Sequence, residues 1–256
     1  MDAPTIEREC EKHAAYTAKL IQARQELCGI QIGPIYGSCP ACAQEHRQHE
    51  EEQSRQEAEA KLRNAIATAG IPRRFQHAEF ATEGTPQLIL RTYAKNIRQH
   101  VTDGTGLVLI GPCGTGKTHN ACALLLELVR NGSPCGYVTA DSLARGMRAT
   151  FQRGAEVTES DLFEHYASLP LLLIDELAAS NAAHTVTLLH ELISVRYEQQ
   201  LPSIFISNAS RHDLEQYLGQ RAADRLAETC RWVPMTGASR RRQAAGVAAN
   251  NNTRGA

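Results

Sequence analysis

The chain has 256 residues, 42% of them hydrophobic, 5% aromatic and 21% charged, with a formal net charge of −1. That length accommodates one sizeable α/β domain and a smaller appendage, while a charge so near neutral excludes a global basic field, so any nucleic-acid contact must be local. No apolar run approaches the roughly 18 residues of a membrane span and the N-terminus is polar and charged, so no membrane partner is expected and the cytoplasm is the expected location.

Residues 1–43 hold four of the eight cysteines and are punctuated by Gly29, Gly33, Pro34, Gly37 and Pro40, which predicts a compact, turn-rich module. Cys39-Pro40-Ala41-Cys42 is a C-x-x-C knuckle and Cys10-Glu11-Lys12-His13 offers a C-x-x-H partner. Zinc takes four S/N ligands in a tetrahedron, and ligands spaced in this way can share one ion. A segment so poor in large apolar residues builds little core, and a structural metal would let it fold. Cys28 or His46 can stand in for His13 in this reading. A redox C-x-x-C and unligated thiols are the alternatives.

Residues 44–69 are dense in Glu, Gln, Arg and Ala and free of Gly and Pro. They read as a polar helix with a thin apolar stripe (Ala58, Leu62, Ala65, Ile66), a connector or partner-docking arm. The main domain is expected over 70–242, opening Gly70-Ile71-Pro72-Arg73-Arg74-Phe75 with a helix near 87–101 closed by Asp103-Gly104. Its core alternates strands (107–111, 135–139, 170–175, 203–207 and 231–235) with helices (117–131, 141–152, 158–168, 184–199 and 211–228). This is the pattern of a parallel sheet sandwiched by helices. The composition after residue 240 predicts a disordered tail over 243–256.

Between the first core strand and helix lies Gly111-Pro112-Cys113-Gly114-Thr115-Gly116-Lys117-Thr118, a complete G-x-x-x-x-G-K-[ST] phosphate loop, followed by His119. Its glycines let successive N–H groups face one anion. Lys117 can reach the β- and γ-phosphates, and the Thr118 hydroxyl can ligand magnesium. A nucleoside triphosphate, ATP, with Mg2+ is the expected cofactor pair. With Cys113 inside this loop and Cys122 behind it, the cysteines read as free thiols or metal ligands of a reducing compartment rather than as disulfides.

Leu171-Leu172-Leu173-Ile174-Asp175-Glu176 reads as a buried strand delivering two acids at its carboxyl end. Asp175 is placed to hold magnesium through a water, and Glu176 to polarise the attacking water. Ser203-Ile204-Phe205-Ile206-Ser207-Asn208 ends in an amide that either helps orient that water or caps the helix beyond residue 210.

Taken together, the phosphate loop, LLLIDE, ISN and Leu218-Gly219-Gln220-Arg221-Ala222-Ala223-Asp224-Arg225-Leu226 resemble the AAA+ ATPases of the DnaC/IstB family, most of all DnaC-type replicative helicase loaders. The Gly70–Phe75 opening, Val195-Arg196-Tyr197 and Leu201-Pro202 extend the resemblance, and the Cys-x-x-His and Cys-Pro-x-Cys beginning is similar to phage-type members. Ser239-Arg240-Arg241 stands where the family has a serine–aromatic–arginine motif, which implies a place for Arg241 near the γ-phosphate. The resemblance implies a P-loop NTPase without the helical lid of other AAA+ proteins, Mg-dependent ATP hydrolysis, and self-association through ATP-site interfaces.

It also implies that a hexameric replicative DNA helicase and single-stranded DNA are partners. An arginine finger would be supplied to a neighbour by Arg225, with Arg221 as the alternate. A surface salt-bridge pair with Asp224 or Glu228 is the competing reading of those arginines. Arg145, Arg148 and Arg153 are candidate DNA contacts or a solvated helix face, with no stacking aromatic recognised among them. An IstB-type transposition ATPase and a nucleotide-gated interaction switch with little hydrolysis are the other functions considered.

Overall fold

The computed structural model describes residues 4–22, 25–27, 30–32, 34–80, 84–180 and 182–237. Cys28, Arg241, the Ser239-Arg240-Arg241 motif and the tail 243–256 lie outside them. The chain divides into two compact units, Met1–Lys61 and Leu62–Ala256.

In the first unit, β1 (Thr5–Arg8) pairs antiparallel with β2 (Tyr16–Gln22), and β2 with β5 (Ile35–Tyr36). Between β2 and β5, β3 (Gln25–Leu27) and β4 (Ile30–Ile32) form their own hairpin. The turn-rich segment is therefore built on short strands, which its scattered glycines and prolines had concealed. Helix α1 (Pro40–Thr68) begins at Pro40, where proline suits the first helical turn because its missing N–H would have no partner there. Cys42 thus sits in a helix rather than in a loop.

In the second unit, α2 (Thr85–Lys95) and α3 (Ile97–Asp103) replace the single helix expected over 87–101. They break at Asn96, whose non-helical φ of −101° and ψ of 20° end the first helix. The sheet comprises β6 (Gly106–Ile110), β7 (Gly136–Thr139), β8 (Leu172–Leu177), β9 (Ser203–Ser207) and β10 (Cys230–Pro234). All are parallel, in the order β10-β6-β9-β8-β7. The connecting helices are α4 (Lys117–Arg130), α5 (Ala140–Thr150), α6 (Glu159–Ser168), α7 (Ala183–Glu198) and α8 (Arg211–Thr229).

Successive strand residues feed two different cores, as the two-residue period of a sheet requires. Leu107, Leu109, Leu173, Ile204 and Ile206 pack on one face with α4 and with Leu90 and Tyr93 of α2. Val108, Leu172, Ile174 and Phe205 pack on the other with Leu143, Met147, Leu189 and Leu214. Both faces are covered, which is why these strands read as unbroken apolar runs. Helix α8 is not the continuous helix expected: Gly219, at φ 70° and ψ 163°, interrupts it. Among the described residues no helix is long and apolar enough to cross a membrane.

Candidate nucleotide site and metal-ligand cluster

The loop from Gly111 to Gly116 joins the end of β6 to the first turn of α4. Gly111 has φ 147°, and a Cβ there would collide with the carbonyl oxygen of Met235, so only glycine lets the loop leave the strand in this direction. Gly114 and Gly116 have φ 87° and 91°, and α4 then starts at Lys117 with its N-terminal amides toward the loop. Thr115 Oγ1 donates to the Pro112 carbonyl at 3.0 Å and Asn120 Nδ2 to the Gly116 carbonyl at 2.8 Å, bracing the turn. Lys117 is buried, its Nζ donating to the carbonyls of Gly111 (2.6 Å) and Pro112 (2.8 Å).

Cys113, Lys117, Thr118, Asp175, Glu176 and Asn208 line one cleft. Asp175 is buried, and three donors fix its carboxylate: Thr118 Oγ1 to Oδ2 at 2.9 Å, Tyr137 OH to Oδ2 at 3.1 Å, and the Glu176 amide to Oδ1 at 2.7 Å. Burial raises the Tyr137 pKa, and the adjacent Asp175 raises it further, so its hydroxyl stays a donor. Thr118 and Asp175 together offer the oxygen ligands that magnesium takes.

Glu176 is exposed, at φ 60°, where the register of β8 against β9 shifts between Ile174 and Leu177. Such a bulge re-aims a side chain, here out of the strand and into the cleft. Ser207, which the sequence reading passed over, ties the bulge to β9 by donating to the Leu177 carbonyl at 2.7 Å. Asn208 is exposed in the cleft, and the helix cap belongs instead to Ser210, whose hydroxyl accepts from the Asp213 amide at 3.1 Å. His119 is engaged at 2.8 Å with the Glu79 carbonyl.

Arg221 and Arg225 lie beyond the Gly219 break. Arg221 is exposed. Arg225 bonds Ser194, approaches Glu198 at 3.7 Å and lies 5.2 Å from the Tyr197 ring centre, so its partners are on α7 rather than Asp224 or Glu228. It lines a cavity of about 380 Å³ with Thr105, Ser203 and Cys230, at the amino ends of the strands. That is the end opposite the phosphate loop, a strand length of about 15 Å away. The neighbouring Arg196 is only 1% exposed and donates to the carbonyls of Tyr166, Ala167, Leu169 and Pro202 and to the Ser203 hydroxyl. Burial pulls its pKa down to about 10, which leaves it charged at neutral pH.

Arg145, Arg148 and Arg153 are exposed, while Leu143, Ala144 and Met147 of α5 face the core. Phe151 corrects the reading that no aromatic lies among them: it stands between Arg148 and Arg153 and is 68% exposed.

In the first unit, Cys10 and His13 occupy the β1–β2 turn, and Cys39 and Cys42 the start of α1. Their ligand atoms all lie within 4.8 Å of one another. Cys10 Sγ is 3.4 Å from Cys42 Sγ and 3.6 Å from His13 Nδ1, and His13 Nδ1 is 3.3 Å and 3.8 Å from Cys42 and Cys39 Sγ. A tetrahedron with zinc–ligand bonds of about 2.0–2.3 Å has edges of about 3.5–3.8 Å, so the residues fit the ion. His13 Nε2 pairs with Glu45 Oε1 at 3.1 Å, which orients Nδ1 toward the sulfurs. The Lys12 amide, followed by hydrogen bonds from His13 and Cys42, lowers Cys10 to about 6, toward the thiolate that a metal requires. His46 is spent on Glu50 at 3.3 Å and takes no part in the cluster.

The family profile described as IstB-like ATP binding protein matches residues 42–248. The chain belongs to that family. Among relatives of this IstB-like protein, the replicative helicase loader DnaC of Buchnera aphidicola subsp. Baizongia pistaciae (strain Bp) is 25% identical over 174 residues, covering 65% of this chain and 70% of its own. DnaC of Escherichia coli (strain K12) is 26% identical over 134 residues, 50% of this chain and 54% of its own. A crystal structure of the DnaC helicase loader superposes with TM-score 0.57 at 21% identity over 64% of this chain and all of that one. The replication initiator DnaA bound to AMPPCP and single-stranded DNA gives TM-score 0.54 at 20% identity over 66% of this chain and 51% of its own. The IstB-like chain thus has the P-loop AAA+ fold.

Proposed function

We propose that this protein is an ATPase that loads a hexameric replicative helicase onto single-stranded DNA. The observation that carries the ATPase reading is the meeting of the phosphate loop with Asp175, Glu176 and Asn208 in one cleft. The DnaC loaders among its relatives support the choice of client.

In this reading the loop amides and Lys117 cradle the phosphates, Lys117 exchanging its loop carbonyls for phosphate oxygens. Thr118 would ligand magnesium directly and Asp175 through a water, and the ion would supply positive charge against the phosphate oxygens. Glu176 accepts the proton of the attacking water, and Asn208 holds that water in line. Arg225 sits at the far end of its own sheet and so acts on a neighbouring protomer's γ-phosphate, already oriented by Tyr197. Arg241 near the γ-phosphate follows from the family resemblance.

The Cys10–His13–Cys39–Cys42 cluster holds zinc and shapes the helicase-binding module, with α1 as the connecting arm. Phe151 supplies a stacking face beside Arg148 and Arg153, the combination that single strands take.

The deciding measurement is ATP turnover with and without single-stranded DNA, together with capture of the replicative helicase by the full chain. DNA-stimulated turnover and helicase capture are expected. Turnover without helicase capture would favour a transposase–DNA client, and negligible turnover would favour a nucleotide-gated switch.

A further inference from the structure

Tyr137 lies on β7, the edge strand, and joins two features that the ATPase reading leaves unconnected. Its hydroxyl donates to Asp175 Oδ2 at 3.1 Å, the same oxygen that receives Thr118 Oγ1. Its backbone amide, on the free side of the edge strand, donates to the Ala69 carbonyl at 2.7 Å. Ala69 directly follows α1, and Gly70, at φ 70°, comes so close that a Cβ there would stand 2.7 Å from the Tyr137 carbonyl oxygen. Leu62 and Ile66, in the last turns of α1, pack against the same core as Tyr137, and Ala69 and Ile71 are buried in it. The end of the long helix is thus seated on a strand residue whose side chain holds the buried carboxylate of the nucleotide cleft.

We infer that Tyr137 is a positioning residue for magnesium, and that the Ala69–Gly70 junction sets its place, so that strain on α1 is felt at Asp175. This inference rests on the ATPase reading and deepens it. Without the hydroxyl, Oδ2 keeps one of its two donors and the carboxylate can turn away from the direction in which it meets the ion's water. A hydrogen bond to a charged group is worth on the order of 10–100-fold in an equilibrium. Part of that loss is expected in Mg2+ affinity, because water can replace the hydroxyl in a cleft open to solvent.

The test measures affinity for a fluorescent ATP analogue across Mg2+ titrations and in EDTA, on the full chain. Tyr137→Phe should weaken Mg2+-dependent binding about 5–20-fold and leave binding in EDTA at the parent value. Loss of packing alone would lower both. Gly70→Ala should weaken the Mg2+ dependence in the same direction, and by less when Tyr137 is already Phe, since the path from the junction to Asp175 is then cut. A parent protein with Mg2+-dependent binding and a Tyr137→Phe variant with an unchanged Mg2+ midpoint would overturn the inference and leave the ATPase reading standing. Equal effects of Gly70→Ala in both backgrounds would overturn the coupling to α1. A parent whose nucleotide affinity ignores Mg2+ would overturn both.

Discussion

Thr118 and Asp175, 57 residues apart in the chain, meet at 2.9 Å through hydroxyl and carboxylate. The first lies in the opening turn of the helix behind the phosphate loop and the second toward the end of β8, two strands away from β6. Thr118→Ala and Asp175→Asn are expected to lower hydrolysis at least 100-fold while nucleotide binding in EDTA changes little, because the loop amides and Lys117 are untouched. Steady-state turnover beside equilibrium binding checks this.

Glu176→Gln should bind Mg·ATP as the parent does and hydrolyse it about 10²–10⁴-fold more slowly, the range for loss of a general base. Single-turnover kinetics read it directly. Unchanged turnover would remove Glu176 from the chemistry.

Subunit mixing tests the arginines. Arg225→Ala keeps a complete phosphate loop, and Lys117→Ala keeps Arg225, so each should be inactive alone. Mixing them should restore part of the parent rate if Arg225 serves a neighbour, against a loss of about 10³–10⁵ in arginine-finger systems. Restoration when Arg221→Ala replaces Arg225→Ala in the mix, from an inactive Arg221→Ala start, would move the role to Arg221. Without Arg225, Tyr197 and Glu198 each lose a contact, so melting curves accompany the rates.

The cysteine cluster should carry one zinc per chain, released by chelator and lost in Cys39→Ser. Proteolysis should then open residues 1–61 while the second unit keeps its melting transition. Hydrogen bonds to Cys10 and Glu45 raise the His13 pKa above its usual value, and the hydrogen-bonded thiol pair splits, Cys10 falling to about 6 and Cys42 rising to about 11, so the ion must displace a proton from Cys42. Protonated ligands cannot bind the ion, and the bound ion in turn holds its ligands deprotonated, so zinc should be retained at neutral pH and released only on acidification below the range in which the free ligands take up protons. Elemental analysis after dialysis at each pH measures this.

Arg196→Met leaves four carbonyls that had shared one guanidinium. A loss of about 1–3 kcal/mol for each carbonyl left buried without a donor is expected, read as denaturant unfolding of the second unit.

The phosphate loop, the apolar strand runs and the paired cysteines were legible because each depends on neighbours within a few residues. Loop chemistry, the two-residue alternation and the C-x-x-C spacing are local properties. The breaks at Asn96 and Gly219 were not read: both residues were visible, but a helix pattern on either side outweighed a single breaker. Phe151 was also visible in the sequence, and only its 68% exposure distinguishes it from a core aromatic.

By itself, then, the sequence determined that a phosphate loop is present, that five apolar strands alternate with helices, and that four metal-type ligands occur in pairs. Only the tertiary structure decided which distant groups share a site. It inserted β9 between β6 and β8, bringing Asn208 between loop and acids, and it chose His13 over His46 for the cluster. It also seated Tyr137 between Ala69 and Asp175. The reason is physical: spacing along a chain constrains a turn or two, whereas meetings across 57 residues follow from how the strands order and the helices pack.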